Sequence, residues 1–219
     1  MSTSNVYIEH LSESDMQQTV DLLAKAMSTN PLHISIFGEG GEKALAKQKR
    51  MFEMVLNNSH TLSFTAKIEG QVVGSMSYTN HPFCRLSVSE VLKLFPKSLH
   101  VFGKNIITVA KWRYNWEKHD PTVPHVHFGP LAVHPSFQGK GIGKMLLEYF
   151  CKYLDQSNQI GYLETDKIEN VTLYKKFGFE VTKTDYLFNT KNWFMVRPPS
   201  TLSRSYQTSA SSLLYIKMR

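Results

Sequence analysis

The chain has 219 residues, 42% of them apolar and 20% charged, and lysine plus arginine outnumber aspartate plus glutamate 25 to 18, for a net charge of +7. These are the proportions of an ordinary soluble globular chain, long enough to bury a core without disulfides or metals. No apolar stretch approaches the roughly 20 residues of a membrane helix, and Met1 to His10 lack a basic-then-apolar leader, so the expectation is a cytoplasmic protein with no membrane attachment.

Val6 to His10 reads as a short strand. Ser12 or Ser14 could cap a helix over Asp15 to Met27, because Met16, Val20, Leu23 and Met27 recur at helical spacing. Asn30-Pro31 is expected to break that helix, and Gly38-Glu39-Gly40-Gly41 to turn before a second helix over Glu42 to Leu56. Thr61 to Ile68 and Val72 to Thr79 are rich in β-branched and aromatic residues, and Glu69-Gly70-Gln71 between them predicts a hairpin. Pro82 to Trp116 predicts one or two helices, ending in the basic and aromatic run Lys111 to Trp116.

The pattern sharpens at His125. A strand is expected over His125 to Val133, a helix over Gly141 to Leu154, a strand over Gly161 to Thr165 and a short helix over Glu169 to Phe177 stopped by Gly178. Two more strands cover Phe179 to Phe188 and Trp193 to Val196. We read residues 1–197 as one domain and 198–219 as a Ser/Thr-rich extension. Its Leu213-Leu214-Tyr215-Ile216 segment could add a strand or dock on the body.

Between strand and helix lies Gln138-Gly139-Lys140-Gly141-Ile142-Gly143-Lys144. The first amides of a helix lack intrahelical partners and sit at the positive end of its dipole, and glycines let a bulky anion approach them. The loop therefore reads as a pyrophosphate cradle, with Lys140 and Lys144 adding charge at its rim. Met145 stands where a magnesium-binding hydroxyl would complete a P-loop, and glycines at 139, 141 and 143 do not fit the dinucleotide fingerprint.

This loop resembles the GNAT superfamily of acetyl-CoA-dependent acetyltransferases, whose Gln/Arg-x-x-Gly-x-Gly/Ala motif matches Gln138, Gly141 and Gly143. Phe128 to Pro135 is similar to that family's central strand and exit turn, and Asn170 to Phe179 to its late helix with terminal Gly-Phe. The clear match spans about 125–181. Leu163-Glu164-Thr165 adds a likeness to small-molecule acetyltransferases, including the puromycin-type resistance enzymes.

The resemblance implies an α/β (α+β) fold: a mixed, twisted sheet of about seven strands flanked by helices, with two parallel central strands splayed where the pantetheine arm enters. It implies acetyl-CoA as co-substrate, held by Leu131, Ala132, Val133, Gln138, Gly139, Lys140, Gly141, Ile142, Gly143, Lys144, Asn170 and Tyr174. A β-bulge before the loop would expose the backbone groups of Leu131 and Val133. It further implies transfer of the acetyl group to a primary amine, that of a small molecule, by direct attack in a ternary complex. A homodimer is compatible with it.

Direct attack needs an acid for the departing thiolate and a base for the ammonium, and no covalent nucleophile. Tyr174, a phenol that holds its proton at neutral pH, is the candidate acid. His127, Glu164 and, one step further out, His125 are candidate bases, and strand alternation predicts that His127, Gly129 and Leu131 share a face. Cys84 and Cys151 have no metal-type spacing, so no metal is expected. Phe37, Phe83, Tyr114 and Trp116 are candidates to line the acceptor site. The rival readings are an acyl-CoA-binding sensor without catalysis and a nucleic-acid-binding module built on the Lys111 to Trp116 run.

Overall fold

A computed structural model describes residues 6–199, and Leu213 to Ile216 lie outside them. Seven strands form one sheet: β1 (Tyr7–His10), β2 (Thr61–Ile68), β3 (Gln71–Asn80), β4 (Val126–Val133), β5 (Gly161–Thr165), β6 (Glu180–Leu187) and β7 (Thr190–Arg197). Their order is β1-β2-β3-β4-β5-β7-β6. Every neighbouring pair runs antiparallel except β4 and β5. That parallel pair is joined by α6 (Ile142–Ser157), the crossover a parallel connection requires. The hairpin between β2 and β3 closes tightly because Glu69 and Gly70 both take positive φ, the geometry of a type I′ turn.

The sheet carries a helical layer on each face. Val20, Leu23 and Ala24 of α1 (Met16–Met27) and Met51 and Phe52 of α3 (Gly41–Leu56) build one core with Val72 and Ala132 of the sheet. Val101 and Phe102 at the end of α4 (Val88–Phe102) close it. On the opposite face Leu146, Leu147, Phe150 and Leu154 of α6 join Val171 and Tyr174 of α7 (Ile168–Lys175) over Met76, Val126, Phe128 and Leu163. A smaller cluster of Tyr162, Phe194 and Val196 takes Trp116 of α5 (Ile106–Glu117).

Two local expectations change. Neither Ser12 nor Ser14 caps α1: residues 13–15 form a 3-10 turn, and the Ser12 hydroxyl donates to the Asp15 carboxylate instead. Asn30-Pro31 starts a helix rather than merely ending one. The Asn30 side chain accepts from the amides of Leu32 and His33, and Pro31 occupies the first turn of α2 (Pro31–Phe37). Proline suits that position because the amide it lacks would have no helical partner.

Gly161 shows how tightly α6 and β5 meet. A Cβ there would lie 2.5 Å from Leu154 Cδ1 and 3.2 Å from the Phe179 ring, and both neighbours are buried. Gly161→Ala is therefore expected to cost about 1–3 kcal/mol by overpacking. In a chain of this size that lowers Tm by roughly 2–4 °C per kcal/mol. Thermal unfolding of the two proteins side by side checks it, and an unchanged Tm refutes the packing argument.

Candidate functional site

β4 and β5 pair at only two positions, Val126 with Gly161 and His127 with Tyr162, and then part. The cause lies in β4. Its pairing with β3 jumps from Leu131↔Met76 to Phe128↔Tyr78, so Gly129 and Pro130 together face a single residue, Ser77. This bulge shifts the alternation by one. Val126 and Phe128 face α6 before it, and Leu131 and Val133 face the same layer after it, while Ala132 turns to the α1 and α3 side. The expected common face of His127 and Leu131 is thereby overturned, because an inserted residue flips every later side chain.

The same bulge leaves the backbone of β4 open toward β5. The His134 amide donates to Val73 O on β3. Peptide groups alternate in direction along a strand, so those of Leu131 and Val133 point away from β3 and into the split. Gln138 Nε2 donates to Val133 O at 3.1 Å and fixes the exit turn.

The glycine loop then enters α6. Gly141, the N-cap, has φ +82°, a left-handed conformation that glycine adopts without strain. The first helical amide bond runs from Met145 N to Gly141 O at 3.0 Å. The amides of Ile142, Gly143 and Lys144 therefore have no helical carbonyl to meet. A Cβ at Gly139 or Gly141 would find nothing within 4 Å, so the mouth of α6 is open to a bulky anion. Lys140 Nζ lies 3.1 Å from Ser136 O and over the Phe137 ring, and Lys144 pairs with Glu148 at 3.5 Å. The Lys140 ammonium stays on the loop, whereas that of Lys144 leans along α6 toward Glu148.

Tyr174 reaches the split from the α7 side. Its ring is buried near Phe179. Burial first, then the carboxylates of Asp166 and Glu164, push its pKa above the ordinary phenol value, so it is protonated at neutral pH. Asn170, one turn before Tyr174, donates to Thr165 Oγ1 at 3.2 Å and steadies the β5–α7 corner.

On the other face of β4 and β5 sits a buried polar group. His127 Nε2 lies 2.8 Å from Glu164 Oε2, and His127 Nδ1 lies 3.4 Å from Asp120 Oδ1. His125 Nδ1 is 2.8 Å from Val123 O, and His125 Nε2 is 3.5 Å from Cys84 Sγ. Burial opposes charging His127, but Glu164 and Asp120 outweigh it, and the His127 pKa is held well above the usual 6.5. Burial lowers the His125 pKa and raises that of Asp120. Sequence reasoning found His125, His127 and Glu164 but not Asp120 or Cys84. Both stand in loops, and only the fold brings them to β4.

Asp166 was also missed. It accepts from Asn30 Nδ2 at 2.8 Å and from the Leu32 amide at 3.3 Å, and so pins α2 to the end of β5. Of the aromatic candidates, Phe37 is core against Phe102 and Trp116 packs inward with its Nε1 toward Asn192. Phe83 stacks on His60, and Tyr114 is 70% exposed. The Lys111 to Trp116 run is no stacking platform for bases, since Trp112 and Trp116 both point into the protein and Arg113 pairs with Glu117.

Residues 28–179 match the model of the acetyltransferase (GNAT) family. Solved structures share the fold at low identity. A Corynebacterium glutamicum protein described as histone acetyltransferase HPA2 and related acetyltransferase is 18% identical, with a TM-score of 0.70 over 90% of this chain and 97% of that one. Arylalkylamine N-acetyltransferase 2 of Aedes aegypti is 14% identical, with a TM-score of 0.64 over 89% of this chain and 99% of that one. The PaiA N-acetyltransferase of Thermoplasma acidophilum, solved in complex with coenzyme A, is 15% identical, with a TM-score of 0.55 over 89% of this chain and 99% of that one. No helix among the described residues is long and apolar enough to cross a membrane.

Proposed function

Because the chain belongs to the GNAT family of acetyltransferases, we propose that it moves the acetyl group of acetyl-CoA to the primary amine of a small molecule by direct attack in the cleft between β4 and β5. The observation that carries this reading is the juxtaposition, at one split in the sheet, of unpartnered α6 amides, the open backbone edge of Leu131 and Val133, and the Tyr174 hydroxyl.

The amides of Ile142, Gly143 and Lys144 and the glycines 139 and 141 hold the pyrophosphate, with Gln138 bracing the turn and Lys140 and Lys144 supplying positive charge nearby. Leu131 and Val133 meet the pantetheine amides as an added strand edge would, Ala132 carries their spacing between the two cores, and Asn170 steadies the arm or a water beside it. The amine nitrogen attacks the thioester carbon, and the C–S bond breaks. Tyr174 gives its proton to the sulfur and recovers one from solvent. The ammonium proton leaves to Glu164, directly or through water. Glu164 suits this role because, among the described residues, its Oε1 has no hydrogen-bond partner while Oε2 is held by His127. In this reading His127 positions the base. Glu164 and Asp166 also give the acceptor side of the split negative charge, which favours an ammonium substrate.

Calorimetric titration with coenzyme A, followed by thiol-release assays with acetyl-CoA and a panel of small primary amines, tests it. Saturable binding and amine-dependent thiol release are expected. No measurable affinity for coenzyme A or its thioesters sinks the proposal. Binding with no release for any amine replaces it with a sensor.

A further inference from the structure

The polar group beneath the split has features the transfer reaction does not use. The ligand atoms of Cys84, Asp120, His125 and His127 all lie within 4.8 Å of one another, although they come from three separate segments: the loop after β3, the loop after α5, and the start of β4. Asp120 and His125 have side chains exposed by only 1% and 0%. Asp120 Oδ1 is buried with no hydrogen-bond partner among the described residues and faces His127 Nδ1 at 3.4 Å and His125 Nε2 at 3.9 Å.

The outer nitrogens fix what the inner ones offer. His125 Nδ1, at 2.8 Å from the Val123 carbonyl, must carry its hydrogen, so Nε2 presents a lone pair to Cys84 and Asp120. His127 Nε2 is tied to the Glu164 carboxylate at 2.8 Å, so an ion bound beside Asp120 would take the Nδ1 lone pair by displacing the proton that nitrogen otherwise carries. Carbonyl and carboxylate partners behind the ring are the outer contacts that orient metal-bound histidines. Four electron-pair donors thus converge on one buried point.

We propose that Cys84, Asp120, His125 and His127 form a four-ligand Zn²⁺ site that ties the loops after β3 and α5 to the root of β4. A tetrahedral zinc with bonds of about 2.0–2.3 Å places its ligand atoms roughly 3.3–3.6 Å apart. The observed 3.4, 3.5 and 3.9 Å separations need only small adjustment to reach that shape. Charge agrees: a thiolate and a carboxylate neutralise the ion, and the outer carboxylate of Glu164 is offset by Arg85, whose Nε lies 3.4 Å from Asp120 Oδ2. With all four positions taken by protein, the site is structural. Its service to the cleft is to lock the His127 ring and, through it, Glu164. Spacing rules miss it because they look for ligands adjacent in sequence, whereas folding brings these together.

The full chain, purified without chelator or affinity histidines, is dialysed against micromolar Zn²⁺ or Co²⁺ and assayed by elemental analysis and absorption spectroscopy. One ion per chain is expected, and the cobalt form should show intense tetrahedral visible bands with a thiolate charge-transfer band. Cys84→Ser should abolish that charge-transfer band, and Cys151→Ser should keep it. Cys84→Ser and Asp120→Asn should each weaken zinc binding beyond the roughly 10–100-fold that altering an outer partner costs. Folded wild-type protein that takes up no ion overturns the proposal. So does one-to-one binding that both variants leave unchanged, since the ion would then sit on other groups, such as exposed histidines. Coenzyme A titration of the same samples keeps the two readings separate: failure to bind zinc leaves the transfer reaction standing, and failure to bind coenzyme A leaves the metal site standing.

Discussion

Tyr174→Phe is expected to lower the turnover number by about 10²–10⁴-fold, the contribution of a positioned acid, while the Kd for coenzyme A stays within about twofold. The separation follows from where the hydroxyl is and what it touches. Its ring supplies the packing against α7's neighbours, and phenylalanine keeps that ring. Because phenylalanine fills the same buried volume beside Phe179, stability should be nearly unchanged. A phenol pushed above its ordinary pKa is a weak acid for a water-solvated thiolate. In a dry cleft, however, burial raises the thiol in the same direction, as it does for Cys151, whose pKa burial lifts to about 11. The match between donor and sulfur is therefore retained inside the protein. Steady-state kinetics with acetyl-CoA and the best amine, beside calorimetric titration with coenzyme A, give both numbers. Full activity in Tyr174→Phe removes the assignment. A parallel loss of binding reassigns the tyrosine to holding the cofactor arm.

The segment 125–181 was legible because its signals are local. Strand alternation, a glycine loop and a helix with an apolar stripe follow one another without interruption, and each is set by neighbours within a few residues. Val126–Val133, Ile142–Ser157, Gly161–Thr165 and Ile168–Lys175 accordingly appear within a few residues of their expected bounds. The failures have a common cause in tertiary context. Pro31 reads equally as the end of one helix or the first turn of the next, and the choice rests on Asn30 being held by Asp166 at the far end of the sheet. The bulge at Gly129 and Pro130 moved Leu131 to the opposite face from His127, and alternation alone has no means to register an inserted residue. Asp120 and Cys84 carry no periodic pattern at all. They matter only because the loops after α5 and β3 end beside β4, which is a property of the whole topology.

The second large effect is expected at the mouth of α6, where charge can be tested apart from shape. Gly141 has φ +82°, is exposed, and has nothing within 4 Å of where a Cβ would stand. Asparagine and aspartate are the side chains that best tolerate left-handed backbone, and they are nearly the same size. Gly141→Asn and Gly141→Asp should therefore fold alike and lose similar small amounts of stability to backbone strain. They differ by one negative charge beside the amides assigned to the diphosphate. Two unit charges about 5 Å apart interact by roughly 3 kcal/mol at an effective dielectric of 20 and under 1 kcal/mol in water. An exposed helix mouth lies between these limits, so Gly141→Asp should bind coenzyme A about 10–100-fold more weakly than Gly141→Asn. Because the repulsion acts through solvent, the gap should narrow at about 1 M salt, where the Debye length falls to roughly 3 Å. Desphospho fragments of the cofactor that lack the pyrophosphate should not distinguish the two variants. Equal affinity of both proteins for coenzyme A at low salt would mean that the anion is held elsewhere, and the loop would then be only the turn that lets the chain enter α6.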